Sequence, residues 1–291
     1  MTCYHPLHGW LSRSPSSTGG RAITFRIKDG FSDRPMTVPC GQCIGCRLER
    51  SRQWALRCVH EAQFHEQSCF ITLTYNDEHL PKNKSLVKDD FQRFMKRLRK
   101  YFAPQDVRYF HCGEYGETIL RPHYHAILFG VDFDDKVLFK VVNGVRVFTS
   151  QKLEKIWGKG FVTIGDVTFE SAAYVARYVL KKITGDKAAE HYGGRLPEYV
   201  TMSLKPGIGS AWFERYWYEV YPNDYVVARG MKCKPPRFYD KKFADEMPFT
   251  METIKRARSA MAAMHDNSPE RLNAKEFIKM QAISNLPRNA I

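Results

Sequence analysis

One stretch constrains the fold more than any other: Arg121-Pro122-His123-Tyr124-His125-Ala126-Ile127-Leu128-Phe129. It reads as a buried strand that carries two histidines. Side chains alternate across a strand with period two, so His123, His125, Ile127 and Phe129 share one face, and Tyr124, Ala126 and Leu128 share the other. Two imidazoles two residues apart sit close enough to grip one metal ion. Upstream, residues 108–114 read as a second strand, joined to the first by the polar segment Tyr115-Gly116-Glu117-Thr118 and then residues 119–122. A hairpin there would bring Glu114 beside the histidines. Two nitrogens and one carboxylate oxygen, with open positions left over, suit a catalytic divalent ion.

A second feature lies downstream, in residues 172–182. On a helix at about 100° per residue, Tyr174, Tyr178 and Lys181 fall within a polar sector of about 60°. Ala172, Val175, Ala176, Val179, Leu180 and Ile183 fill the opposite side. The apolar stripe docks the helix, and the two phenols project elsewhere as a pair.

The elements around these two features are mixed. Residues 69–75 read as a strand with Phe70, Thr72 and Thr74 on one face. Residues 86–102 form an amphipathic helix whose Phe91, Phe94, Met95, Leu98 and Phe102 face a core, with Arg93, Lys96, Arg97, Arg99 and Lys100 on the other side. Residues 47–66 read as a basic helix. Residues 136–148 read as a hairpin around Asn143-Gly144, a favoured two-residue turn. Thr149 or Ser150 caps a short helix at 151–157, and 161–164 is a strand. Residues 1–46 read as an irregular leader with a loop at 12–20 and a short strand near 22–27. From Gly185 the chain is loop-rich, with helices at 212–221 and within 250–283. Ser268 as N-cap and Pro269 at the first helical position mark a helix start. This order implies an α+β fold, an antiparallel sheet with helices packed against it.

Cys40, Cys43 and Cys46 stand at Cys-x-x-Cys-x-x-Cys spacing. A structural zinc takes four ligands in a tetrahedron, and three are here. The fourth is Cys3, His5 or Cys58. Cys3 is favoured, because a metal clip there would fix a loose end. The chain has eight cysteines, expected as thiols or metal ligands in a reducing cytosol.

The formal net charge of +14 implies a polyanionic partner, with nucleic acid first. No apolar run reaches the roughly 20 residues that span a bilayer. The start Met1-Thr2-Cys3-Tyr4-His5-Pro6 lacks the apolar segment of a secretory signal. No membrane partner and a cytoplasmic location in a bacterial host are therefore expected.

The segment Phe70-Ile71-Thr72-Leu73-Thr74-Tyr75, the triplet His123-Tyr124-His125 and the pair Tyr174-x-x-x-Tyr178 occur in the order of the three motifs of HUH endonucleases. With Cys40-Gly41-Gln42-Cys43-Ile44-Gly45-Cys46-Arg47 and Lys205-Pro206-Gly207-Ile208-Gly209 added, the chain resembles replication initiation proteins of gokushovirus-type microviruses, over roughly residues 1–240. The resemblance implies a central sheet of about five strands flanked by helices. Before it would stand the Cys-rich leader and basic helix (1–66), then the catalytic domain (67–205), then a basic, aromatic and helical C-terminal extension (206–291). It implies Mg²⁺ or Mn²⁺ on Glu114, His123 and His125, with Glu114 carried over from related proteins and His111 its rival. It implies attack by Tyr174 or Tyr178, aided by Lys181, to give a 5′-phosphotyrosine and a 3′-OH primer for rolling-circle synthesis. Thr72, Thr74, Arg177 and Lys182 are expected to contact DNA, and Zn²⁺ to sit on Cys3, Cys40, Cys43 and Cys46. Expected partners are single-stranded and replicative-form phage DNA and host replication proteins. Two competing readings are an HUH transposase or relaxase, and a non-enzymatic single-strand binder that stacks bases on sheet aromatics. Phe110, Phe129 and Phe161 lie in apolar runs and are expected to be buried, which counts against the binder.

Overall fold

A computed structural model describes residues 3–15, 20–116, 119–181 and 187–285, and the side chains of all of these except 177–181 and 187. In chain order the elements are β1 (Leu7–Pro15), β2 (Arg21–Thr24), β3 (Gly30–Val38), α1 (Ile44–Ala62), β4 (Ser68–Tyr75), α2 (Lys88–Phe102), β5 (Arg108–Tyr115), β6 (Pro122–Phe129), β7 (Val137–Val142), β8 (Val145–Thr149), α3 (Gln151–Trp157), β9 (Gly160–Gly165), α4 (Phe169–Lys181), α5 (Lys187–Tyr192), β10 (Tyr199–Met202), α6 (Ser210–Val220), β11 (Val226–Ala228), β12 (Met231–Cys233), α7 (Arg237–Glu246), α8 (Pro248–Ala263) and α9 (Pro269–Ser284). They fall into two units, Met1–Arg50 with Lys255–Pro287, and Ser51–Ile254.

The larger unit is α+β, built on a seven-stranded sheet in the order β10-β5-β6-β4-β9-β8-β7. Its pairs are antiparallel. Five strands, β10 to β9, make the central sheet, and the hairpin β7–β8 extends it on the β9 side. That hairpin turns at Asn143 and Gly144, whose φ angles of 50° and 79° match the left-handed turn that Asn-Gly favours. Ser150 caps α3 by accepting from the Leu153 amide.

Strand alternation separates two cores. Tyr124, Ala126 and Leu128 of β6 join Ile71 and Leu73 of β4 beneath Phe91, Phe94, Met95 and Leu98 of α2 and Leu153, Ile156 and Trp157 of α3. Ile127 and Phe129 join Phe70, Phe110 and Cys112 beneath Ala172, Val175 and Ala176 of α4 and Ala55 and Cys58 of α1. Each fully buried Leu, Ile or Phe contributes on the order of 1.5–3 kcal/mol, so both helix layers hold firmly. A third cluster packs Leu56 of α1 against Phe213, Tyr239 and Phe243 of α6 and α7.

Several arginines that composition marks for phosphate instead hold backbone. Arg97 donates to the carbonyls of Ile156 and Trp157 at the end of α3, and Arg99 donates to Val107. Arg57 lies over the rings of Trp54 and Phe238 and donates to Ile208. The Lys205–Gly209 stretch is tied down by a buried pair: Arg108 Nε lies 2.5 Å from Glu61 Oε1 and its Nη2 donates to Pro206, while Glu61 Oε2 accepts from the Gly209 amide.

In the smaller unit the leader is more regular than its composition implies. β2, β1 and β3 form an antiparallel sheet, so β1 runs through positions 12–15 that read as loop. Its residues are mostly exposed or half-buried, so no hydrophobic alternation marks it in the sequence. Ile27 leaves the strand for a 3₁₀ turn, Ile27–Asp29. The helix start at Ser268-Pro269 is present, with Ser268 Oγ accepting from the Arg271 amide. Among the described residues no helix is long and apolar enough to cross a membrane.

Candidate metal and tyrosine site

The antiparallel register puts Glu114 of β5 directly opposite His123 of β6, and Thr74 and Thr72 of β4 opposite His123 and His125. Paired residues point to the same face, so these side chains converge. His123 Nε2 lies 2.8 Å from Glu114 Oε1, and His125 Nε2 lies 2.6 Å from the same oxygen. Burial alone would raise the Glu114 pKa, but the hydrogen bonds with His123 and His125 outweigh it and hold the carboxyl below its usual range. The three donors lie within 4.8 Å of one another.

The chemistry of this donor set fits a cation. His123 Nδ1 is 3.0 Å from the Arg121 carbonyl oxygen, which only accepts, so Nδ1 carries the hydrogen. Its Nε2 then faces a carboxylate oxygen, which is favourable only with a proton or a metal ion between them. His125 Nδ1 is held 2.9 Å from Thr72 Oγ1. Both rings are thus gripped on their outer nitrogens, the support metal-binding histidines need. Glu114 Oε2 is buried without a hydrogen-bond partner, as a carboxylate awaiting an ion would be.

His111, the rival ligand, is excluded by parity. It lies three residues before Glu114 and so on the opposite face, stacked 3.4 Å from Phe91 with Nδ1 beside Thr201 Oγ1. Burial pushes its pKa well below the ordinary histidine value.

Helix α4 packs over β10, β5 and β6 through its apolar stripe. That docking places Tyr174 edge-on to His125, with ring centres 5.1 Å apart, and its hydroxyl 3.5 Å from Glu114 Oε1. Phe70 lies parallel to His125 and edge-on to Tyr174, so it orients both rings. Sequence reasoning assigned Phe70 no role, although its parity with Thr72 signals the same face. Arg121 was likewise missed: it supplies the carbonyl that fixes His123 and binds Tyr75 and Asp77 with its guanidinium. Tyr178, Lys181 and Arg177 belong to α4, but their side chains lie outside the described residues, as does Lys182 altogether.

The other donor cluster is in the smaller unit. Cys3, Cys40, Cys43 and Cys46 bring four sulfurs within 4.8 Å of one another. The Tyr4 amide donates to Cys43 Sγ at 3.3 Å, and the Cys40 amide to Cys3 Sγ at 3.2 Å. Burial opposes ionisation of Cys43, yet these backbone donors and neighbouring thiols bring its pKa down to about 6. Burial raises Cys3 and Cys46. Of the two rival fourth ligands, His5 pairs with Glu276 at 2.6 Å and Cys58 is buried in the core under α4.

Two of the three strand phenylalanines, Phe110 and Phe129, are fully buried, but Phe161 is 64% exposed. It lies beyond the sheet area that α4 covers, so its apolar neighbours in sequence did not ensure burial.

The family profile of the replication-associated protein ORF2 matches residues 68–183, the span from β4 through α4. The chain is 36% identical to the replication-associated protein ORF2 of Spiroplasma virus 4 over 78% of this chain and 74% of that protein. It is 34% identical to the replication-associated protein VP4 of Bdellovibrio phage phiMH2K over 86% and 82%, and 30% identical to the replication-associated protein ORF4 of Chlamydia phage 1 over 69% and 52%. No solved structure matches. The sheet with its paired histidines lies inside the matched span, and the likeness runs through most of the chain on either side: this protein belongs to the family of microvirus replication-associated proteins.

Proposed function

We propose that the chain is a metal-dependent DNA endonuclease and strand transferase that initiates rolling-circle replication. The observation that carries this reading is the convergence of Glu114, His123 and His125 on one point with the Tyr174 hydroxyl 3.5 Å from Glu114 Oε1. Mg²⁺ or Mn²⁺ on those three residues would supply Lewis acidity toward a non-bridging phosphate oxygen. The chain does the rest. Tyr174 Oη attacks phosphorus, the new O–P bond forms, and the bond to the 3′ oxygen breaks in line. The phenol gives up its proton and the departing 3′ oxygen gains one, leaving a 5′-phosphotyrosine and a 3′-OH primer. The phosphodiester energy is kept, so the reverse step rejoins the strand.

A free phenol has a pKa near 10, so the attacking group needs help to ionise. Lys181, on the same helix, is assigned that task. Tyr178 lies one turn from Tyr174, about 6 Å along the axis. It is assigned the second transfer, which closes the unit-length circle while the first tyrosine holds the 5′ end. Thr72, Thr74, Arg177 and Lys182 are assigned to the DNA strand, and Cys3, Cys40, Cys43 and Cys46 to a structural Zn²⁺. The DNA is that of the phage, single-stranded and replicative, inside the bacterial cytoplasm and in company with host replication proteins.

The test uses labelled single-stranded phage DNA with Mg²⁺ or Mn²⁺, followed by a search for an adduct that survives SDS. Tyr174→Phe and Tyr178→Phe should each retain partial cleavage, and the double variant should form no adduct. An adduct in the double variant would remove both tyrosines from the chemistry. Adduct mapped to only one of them in the wild type would reduce the reading to a single nucleophile.

A further inference from the structure

We propose that Phe161 is a base-stacking platform for the DNA strand beside the histidine site. It rests on the preceding reading that this site acts on DNA, and adds a subsite to it. The first observation is a row. Glu114 pairs with His123, His123 with Thr74, and Thr74 with Phe161, across β5, β6, β4 and β9. Directly paired residues of antiparallel strands share a face, so these four side chains form one line along the sheet. With strands about 4.8 Å apart, Phe161 stands about 10 Å from His123, within reach of a nucleotide that neighbours one bound at the histidines.

The second observation is exposure. Val162 and Ile164 point to the other face and are buried, while Phe161 is 64% exposed. Its neighbours on its own face are hydroxyl-bearing: Thr74 in the same row, with Thr72 and Thr163 paired in the next. α4 covers β10, β5 and β6, on the far side of β4 from β9. An aromatic ring on a hydroxyl-lined strip, in a chain of net charge +14, fits the flat face of a base attached to a polyanionic backbone.

The third observation is rigidity. The ring's backbone is set by Gly160, whose φ is +140° and where a Cβ would lie 2.3 Å from the Asn76 nitrogen. The Asn76 amide donates to Lys159, and Trp157 Nε1 donates to the Thr74 carbonyl at 3.2 Å. Strand β9 is therefore clamped to the end of β4, and Phe161 holds its register with Thr74. A platform fixed in register with the histidines would set which nucleotide a strand presents beside the scissile phosphate.

The probe is a fluorescein-labelled single-stranded 20-mer, with binding read by anisotropy. Phe161→Ala should weaken binding about tenfold, the size of one lost base–aromatic stack. Phe161→Trp should restore it, and the tryptophan emission of that variant should be quenched by the oligonucleotide beyond any quenching of the wild type. Phe161→Leu binding as tightly as the wild type would overturn stacking, because an aliphatic side chain has no π face. Phe161→Ala binding as the wild type would overturn the subsite. If Phe161→Ala instead abolishes self-association and leaves DNA binding intact, the ring belongs to a protein contact and the proposal fails. The adduct assay on the wild type separates the two readings: normal adduct with Phe161-independent binding sinks only the platform, while Phe161-dependent binding without any adduct sinks only the nuclease.

Discussion

The two donor clusters are built on opposite plans. In the smaller unit, Cys40, Cys43 and Cys46 come from one short stretch at the start of α1, and only Cys3 is distant in sequence. In the larger unit, His123 and His125 come from one strand and Glu114 from its neighbour, brought together by register. Four sulfurs complete a tetrahedron and leave no place for a substrate. Two imidazoles and a carboxylate leave positions open, which a catalytic ion needs. The difference teaches that ligand number and softness separate a clip that holds a fold from a site that turns over.

The largest effect that would sharpen this contrast is expected from His125→Ala. Losing one of three ligands should cut adduct formation by at least about 100-fold, since a Lewis-acid ion contributes several kcal/mol to such a step. Zinc content should not change. The adduct assay and elemental analysis on one preparation check both, and a His125→Ala protein that cuts at the wild-type rate in metal-replete buffer would break the assignment.

Next comes Cys43→Ser. The wild type should carry about one zinc per chain, and this variant well below that. Thermal unfolding should begin earlier, by the few kcal/mol that a structural metal site adds to its unit. A wild type purified without chelators and free of zinc would erase the comparison from the cysteine side.

The smallest effect should follow Thr72→Val, which keeps the shape of the side chain and removes the oxygen at His125 Nδ1. Outer partners of metal-bound histidines are worth roughly 10- to 100-fold in metal affinity. The midpoint of a Mn²⁺ titration of adduct formation should rise by about tenfold, with cutting restored at saturation. An unmoved midpoint would show that Thr72 does not orient the ring.

Much of this arrangement was legible because it follows from local physics. Strand parity alone put His123 and His125 on one face and Tyr124 on the other. Helical periodicity gave Ala172, Val175 and Ala176 as the buried stripe of α4, and the structure buries all three. Asn143-Gly144, Ser150 and Ser268 marked a turn and two helix starts, because each residue type answers a backbone need within its own few residues. Where the signal failed, the deciding partner was far away in sequence. β1 and β3 are largely exposed strands with no apolar alternation, and β10 exists because β5 offers it an edge. Phe161 looked like core because its neighbours Val162 and Ile164 are core; being odd in parity, it faces the side that α4 leaves uncovered.

By itself, then, the sequence determined which residues could act together on a single element: two histidines on a strand, two tyrosines on a helix, three cysteines at one turn's spacing. Only the tertiary structure decided which distant groups join them. Glu114 and not His111 meets the histidines, because antiparallel register sets the partner and three residues along a strand reverses the face. Cys3 and not His5 or Cys58 meets the other cysteines, because His5 is taken by Glu276 and Cys58 is buried beneath another helix. Periodicity is a property of the local backbone, which the order of residues encodes directly. Register and coverage depend on how separate segments pack, and that is settled only when the whole chain has folded.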